Sequence, residues 1–199
     1  MLVNLSPVHY TIYAEGKQYS PLPNTFNIKN TTDLLHNLLD TPICPQFTFA
    51  SLDITNLYSN IPVNKTKVIL ADTLKYYQTD PQKQQEILSW YDVITTQNYF
   101  THNQGIITPK DGIAMGAPSS ALIAEFFLQR TENTHLPHKH RIINYFRYVD
   151  DILLIFDSTH TDIQTILTDF NALHPNLHFT GVKIFSSGAE YWRKRQIYP

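Results

Sequence analysis

Ile142-Ile143-Asn144-Tyr145-Phe146-Arg147-Tyr148-Val149-Asp150-Asp151-Ile152-Leu153-Leu154-Ile155-Phe156 sets two apolar runs on either side of an acidic pair. β-branched and aromatic side chains at this density favour extended backbone. Two strands meeting at Asp150-Asp151 are therefore predicted. Carboxylates are costly among apolar neighbours, but Asp also favours turns for its own reasons. Taken alone, the pair reads most plainly as a solvated turn. A second buried strand is predicted at Phe47-Thr48-Phe49-Ala50-Ser51-Leu52, and it too runs out at an acid, Asp53. If these strands are neighbours in one sheet, three carboxylates converge at one edge. Their repulsion then demands a cation, and carboxylate oxygens suit Mg²⁺. Two such ions about 3.5–4 Å apart support in-line phosphoryl or nucleotidyl transfer.

Outward from these strands the pattern is mixed. Proline breaks residues 1–25 into loop or weak strand. A short helix is predicted after Asn30-Thr31-Thr32, with Leu34, Leu35, Leu38 and Leu39 on one face. Asn64 to Gln78 reads as a helix presenting Val68, Ala71, Leu74 and Tyr77. Asp80-Pro81 opens another, carrying Ile87, Leu88, Tyr91 and Ile94 inward. Tyr99 to Thr108 reads as a hairpin around Asn103-Gln104-Gly105. Ser119 or Ser120 caps a helix through about Gln129. Thr161 caps one with Ile163, Ile166, Leu167 and Phe170 on one face, and a last strand is predicted over Leu177 to Ile184. The expected fold class is α+β, an antiparallel sheet with helices packed on one face. The expected division is an irregular segment at 1–25, a main domain at 26–185 and a tail at 186–199.

The 199 residues suit one domain with a real core. Hydrophobic residues make up 42% and charged residues 16%, which excludes charge-driven disorder. One cysteine, Cys44, excludes an internal disulfide framework and a multi-cysteine zinc site. It fits a reducing compartment. No membrane span and no secretory signal are expected. The net charge of −2 is not that of a self-sufficient nucleic-acid binder. His135, His138 and His140 have metal-like spacing, but Pro137 interrupts them and a solvated loop is the better reading.

Three motifs in order carry a resemblance. Tyr148-Val149-Asp150-Asp151 resembles the central catalytic motif of reverse transcriptases. Ser51-Leu52-Asp53-Ile54-Thr55-Asn56-Leu57-Tyr58-Ser59-Asn60-Ile61-Pro62 resembles their first palm motif, in the form used by Penelope-like retroelements. Gly112-Ile113-Ala114-Met115-Gly116-Ala117-Pro118-Ser119-Ser120 resembles the intervening motif of that group. The resemblance covers roughly residues 20–182, and the ordered set is far more specific than any one motif.

The resemblance implies a polymerase palm with part of the fingers, acting as an RNA-directed DNA polymerase. It implies that Asp53 and Asp150 ligate two Mg²⁺ ions (Mn²⁺ as substitute), with Asp151 as third acid and the Ile54 carbonyl completing one site. Asn56, Leu57, Tyr58 and Gly116 would contact the nucleotide, with Tyr58 excluding a 2′-hydroxyl. Tyr148, Gly116 and Pro118 would meet primer or template. The implied partners are an RNA template, a DNA primer and deoxynucleoside triphosphates, and the implied site of action is the nucleus, although no targeting signal is visible. Arg147 reads as a phosphate contact or, equally, a surface arginine.

The chain also departs from the family pattern. Residues 1–50 hold only two basic residues, Lys17 and Lys29. Gly181-Val182-Lys183 stands where the resemblance leads one to expect an acid, and the resemblance makes Lys183 a candidate proton donor. A truncated chain is implied. The open alternatives are a catalytically inactive remnant that acts as a binding module, and an unrelated two-metal phosphohydrolase.

Overall fold

The computed structural model describes residues 25–39, 41, 44–103, 105–109, 111–136 and 142–185. In chain order its elements are α1 (Thr31–Leu39), β1 (Phe47–Ile54), α2 (Leu57–Asn60), α3 (Val63–Tyr76) and α4 (Pro81–Thr96). The short strands β2 (Phe100–His102) and β3 (Gly105–Ile107) follow, then α5 (Ser120–His135). β4 (Ile142–Tyr148), β5 (Asp151–Asp157), α6 (Ile163–Asn171) and β6 (Phe179–Phe185) complete the chain. They fall into two compact units. One comprises Phe26–Leu57 with the described part of His135–Pro199, the other Tyr58–Thr134. The segments 1–24 and 186–199, expected to be irregular N-terminal chain and tail, lie outside the described residues.

The first unit is built on a four-stranded sheet in the order β4-β5-β1-β6, with every pairing antiparallel. This is the α+β class expected, but the helices cover both faces of the sheet rather than one: α1 lies on the Phe146 side and α6 on the Tyr145 side. β5 lies inside the sheet, and Ile152 to Phe156 are all buried. A continuous apolar run suits a strand covered on both faces. β1 is also internal and buries alternate residues, Ala50, Leu52 and Ile54. It runs one residue beyond the predicted end at Asp53 because its ladder does: Asp53 pairs with Asp151, and the Ile54 N–H donates to the Asp150 carbonyl at 3.0 Å.

α1 is capped by Asn30, whose Oδ1 accepts from the Asp33 N–H at 2.9 Å. Leu34 packs with Phe146, Leu153 and Ile155, with Leu38 partly buried beside them. Leu35 and Leu39 are exposed, contrary to the four-leucine face predicted. A nine-residue helix against one sheet surface buries only its i, i+4 stripe. Tyr145 points to the opposite side from Phe146, and there Phe170 of α6 stacks on it at 6.1 Å and meets Phe179 edge-on at 5.2 Å. The cap of α6 is Asp162 rather than Thr161. Its Oδ1 accepts from the Gln164 and Thr165 N–H groups, each at 2.9 Å. The Asn171 side chain then grips both backbone groups of Phe179, fixing the start of β6.

In the second unit α3 buries Thr66, Leu70, Thr73 and Leu74. Val68 and Tyr77 are exposed, so the predicted stripe is displaced around the helix. Thr66 and Thr73 can be buried because their hydroxyls donate to the Pro62 and Ile69 carbonyls. α4 is capped by Asp80 with Pro81 at its first position. It buries Tyr91, whose hydroxyl donates to the Val63 carbonyl at 2.8 Å, while Ile94 is exposed. Burial, with the nearby Asp111 and Asp92, pushes the Tyr91 phenol up to about 12 against the Thr66 hydrogen bond. The β2–β3 hairpin forms where expected. α5 runs past Gln129 to His135, burying Thr131 and Glu132 on the way. His138 and His140 lie outside the described residues.

Candidate active site

The carboxylates gather at one end of the central strands. Asp53 and Asp151 are direct partners on β1 and β5, and Asp150 sits in the β4–β5 turn beside them. Asp53 and Asp150 are half-buried and Asp151 is exposed. Burial, followed by the charges of Asp150 and Asp151, pushes the Asp53 carboxyl above the usual carboxylate range. Like charges opposed across a ladder destabilise it. The sheet thus holds a charge conflict at its edge.

β6 shapes the same edge. Its pairing with β1 shifts register between Ser51 and Asp53, and Thr180 comes opposite Asp53. Gly181 follows at φ +73°, where a Cβ would stand 3.4 Å from the Asp53 Cβ. The Thr180 and Thr55 hydroxyls share a 2.7 Å hydrogen bond, and the Thr55 N–H donates to His178 at 2.8 Å. Gly181 read in sequence only as a missing acid. Its signal was present all the same, since an isolated glycine within a strand pattern marks a bulge or close approach.

Arg147 is not a surface arginine. It is 1% exposed, and its guanidinium donates to the Val149 carbonyl at 3.3 Å. Val149 takes φ +57°, rare for a β-branched residue. Tyr148 is half exposed. Asn56 is exposed at φ +52°, a conformation asparagine tolerates, and Leu57 is buried.

Tyr58, Gly116 and Pro118 belong to the other unit. Tyr58 is half-buried, and its carbonyl accepts from the Ile113 N–H at 2.8 Å. The Gly112 N–H donates to Ile61 at 3.0 Å, so the end of the first motif is hydrogen-bonded to the start of the intervening one. Gly112 makes this possible: a Cβ there would fall 2.5 Å from the Ser59 carbonyl oxygen. Gly116 has φ +85° with open space where a Cβ would be. Pro118 is exposed just before α5, whose Ser120 hydroxyl donates to the Ala114 carbonyl at 2.6 Å.

The acids fit a divalent cation in kind, being hard oxygen donors whose repulsion a cation would relieve. Among the described residues, no three His, Cys, Asp or Glu side chains are gathered closely enough to hold an ion as they lie. No described helix is long and apolar enough to cross a membrane.

An antiparallel sheet whose central turn carries paired acids next to a third on the adjoining strand is a polymerase palm. The chain belongs to the reverse transcriptase (RNA-dependent DNA polymerase) family, whose family model matches residues 18–182. The fold is similar to that of apo telomerase from Candida tropicalis, with TM-score 0.59 and 11% identity over 82% of this chain and 34% of that one. It is similar also to Candida tropicalis telomerase in complex with a TWJ fragment of telomeric RNA (TM-score 0.63, 12% identity, 82% and 31% covered). Candida albicans telomerase in the same type of complex gives TM-score 0.58 and 12% identity over 84% and 32%. The chain spans about a third of the length of these telomerases. At such identities the likeness is one of fold. No curated protein sequence matches the chain.

Proposed function

We propose that the chain is the palm, with part of the fingers, of a Penelope-like RNA-directed DNA polymerase. The observation that carries the reading is the rung pairing Asp53 with Asp151, with Asp150 in the adjoining turn. Asp53, Asp150 and the Ile54 carbonyl would hold two Mg²⁺ ions, or Mn²⁺ in their place, with Asp151 alongside. Such ions, when bound, acidify a primer 3′-hydroxyl and stabilise the departing pyrophosphate. The chain's own part is positional: β1 and the β4–β5 turn fix where the acids stand. Asn56, Leu57, Tyr58 and Gly116 are assigned to the nucleotide, and Tyr148, Gly116 and Pro118 to primer and template. The partners are an RNA template, a DNA primer and deoxynucleoside triphosphates, and the same reading places the action in the nucleus.

A second reading is an inactive remnant that serves as a binding module. The net charge of −2 favours it. Primer extension on an RNA template with a DNA primer, four deoxynucleotides and Mg²⁺ or Mn²⁺ separates the two. Extension by the native chain that is abolished in Asp150→Asn supports the polymerase. A folded chain that neither extends a primer nor binds Mn²⁺ supports the remnant.

A further inference from the structure

A buried guanidinium is costly unless hydrogen-bonded. Arg147 lies 1% exposed inside the sheet unit and spends a donor on the carbonyl of Val149. That carbonyl belongs to a residue held at φ +57°. Strain of this kind persists only where the surroundings over-determine it. The turn is fastened from two sides: Arg147 holds Val149, and the Ile54 N–H holds the Asp150 carbonyl at 3.0 Å. Arg147 is itself clamped. Its N–H donates to Phe26 at 2.9 Å, and its carbonyl accepts from the Ile28 N–H at 2.7 Å. A parallel bridge at Asn27 thereby adds a strap outside β4.

We infer that Arg147 is a positioning residue, which carries the anchorage of the Phe26–Ile28 strap through Val149 to the acids Asp150 and Asp151. Its effect on turnover rests on the polymerase reading; its effect on the turn does not. Glycine adopts positive φ without steric cost, so Val149→Gly should make the turn less dependent on the arginine. A merely space-filling Arg147 predicts no such rescue.

The test compares the native chain, Arg147→Met, Arg147→Lys and Arg147→Met/Val149→Gly by amide exchange and primer extension. A buried hydrogen bond from a charged donor is strong, so Arg147→Met should speed exchange at the Ile54 N–H by about tenfold or more. The Ile166 N–H of α6 should keep its native protection. Turnover should fall by about tenfold with KM for the deoxynucleotide within about twofold, the pattern of lost geometry rather than lost binding. Arg147→Lys should recover part of this, and the added Val149→Gly should recover more. Native exchange at Ile54, or a loss that Val149→Gly leaves untouched, overturns the assignment. If Arg147→Met does not fold, Arg147→Lys with and without Val149→Gly is read in the same way. If the native chain extends no primer, the polymerase reading fails, and exchange at Ile54 alone decides the role of Arg147.

Discussion

Asp53 and Asp151 occupy one rung of the β1–β5 ladder, so two like charges face each other at the end of the sheet. Burial, then Asp150, then Asp151, raises the Asp53 carboxyl above its ordinary value. The folded chain therefore holds this proton more tightly than the unfolded chain. Its stabilising effect is complete below the ordinary carboxylate value of about 4 and is lost as pH rises through the raised one. Asp53→Asn keeps the shape and removes the charge. It should be more stable than the native chain near neutrality, with the gap closing as pH falls. Denaturant melts of both proteins across pH, without divalent metal, measure this. A pH-independent gap would remove the charge conflict as its cause.

Asp162 titrates in the opposite sense. The Thr165 N–H and hydroxyl, with the Gln164 N–H, hold its carboxyl below the usual range. Its contribution is present above the unfolded value of about 4 and is lost as pH falls through the depressed one. Asp162→Ala should therefore weaken the fold at neutral pH and converge on native stability in acid. Melts of this variant beside Asp53→Asn should show pH dependences of opposite sign.

Gly181 touches the site without chemistry of its own. At φ +73°, any Cβ-bearing residue is strained by about 1–2 kcal/mol. The new methyl in Gly181→Ala would rest at ordinary contact distance, 3.4 Å from the Asp53 Cβ. The alanine variant should lose about 1–2 kcal/mol of stability and part of its primer extension. The bulkier Gly181→Val should displace Asp53 and lose extension altogether. Chemical denaturation alongside extension assays checks both, and full activity in Gly181→Val would remove Gly181 from the site.

The parts legible in sequence were those carried by local pattern. Two apolar runs around Asp150-Asp151 foretold a hairpin, and Phe47 to Leu52 foretold its neighbour. Helix faces were less legible. Val68, Tyr77 and Ile94 are exposed because burial depends on which side meets a neighbour, and apolarity alone does not say. Arg147 escapes the local pattern for a related reason: arginine is usually exposed, and the strap from Phe26 to Ile28 that pairs with its backbone comes from more than a hundred positions away in the chain. Gly112 looked like one motif letter among several. Its close approach to Ser59 joins residues 53 positions apart (112 − 59), which no local pattern encodes.

Tyr58 offers the most direct test of substrate choice. Its carbonyl already accepts from the Ile113 N–H, so the backbone stays fastened whatever side chain it carries. The ring is only half-buried, and removing it should cost little of the core. If that ring excludes a 2′-hydroxyl, Tyr58→Val should admit ribonucleotides. Steric selection against one hydroxyl is modest, so relative ribonucleotide incorporation should rise by about tenfold to a hundredfold. Deoxynucleotide extension should persist. Paired extension assays with each nucleotide type give the ratio, and melts confirm the fold. An active variant with unchanged selectivity would return Tyr58 to a packing role and leave the choice of sugar to other residues.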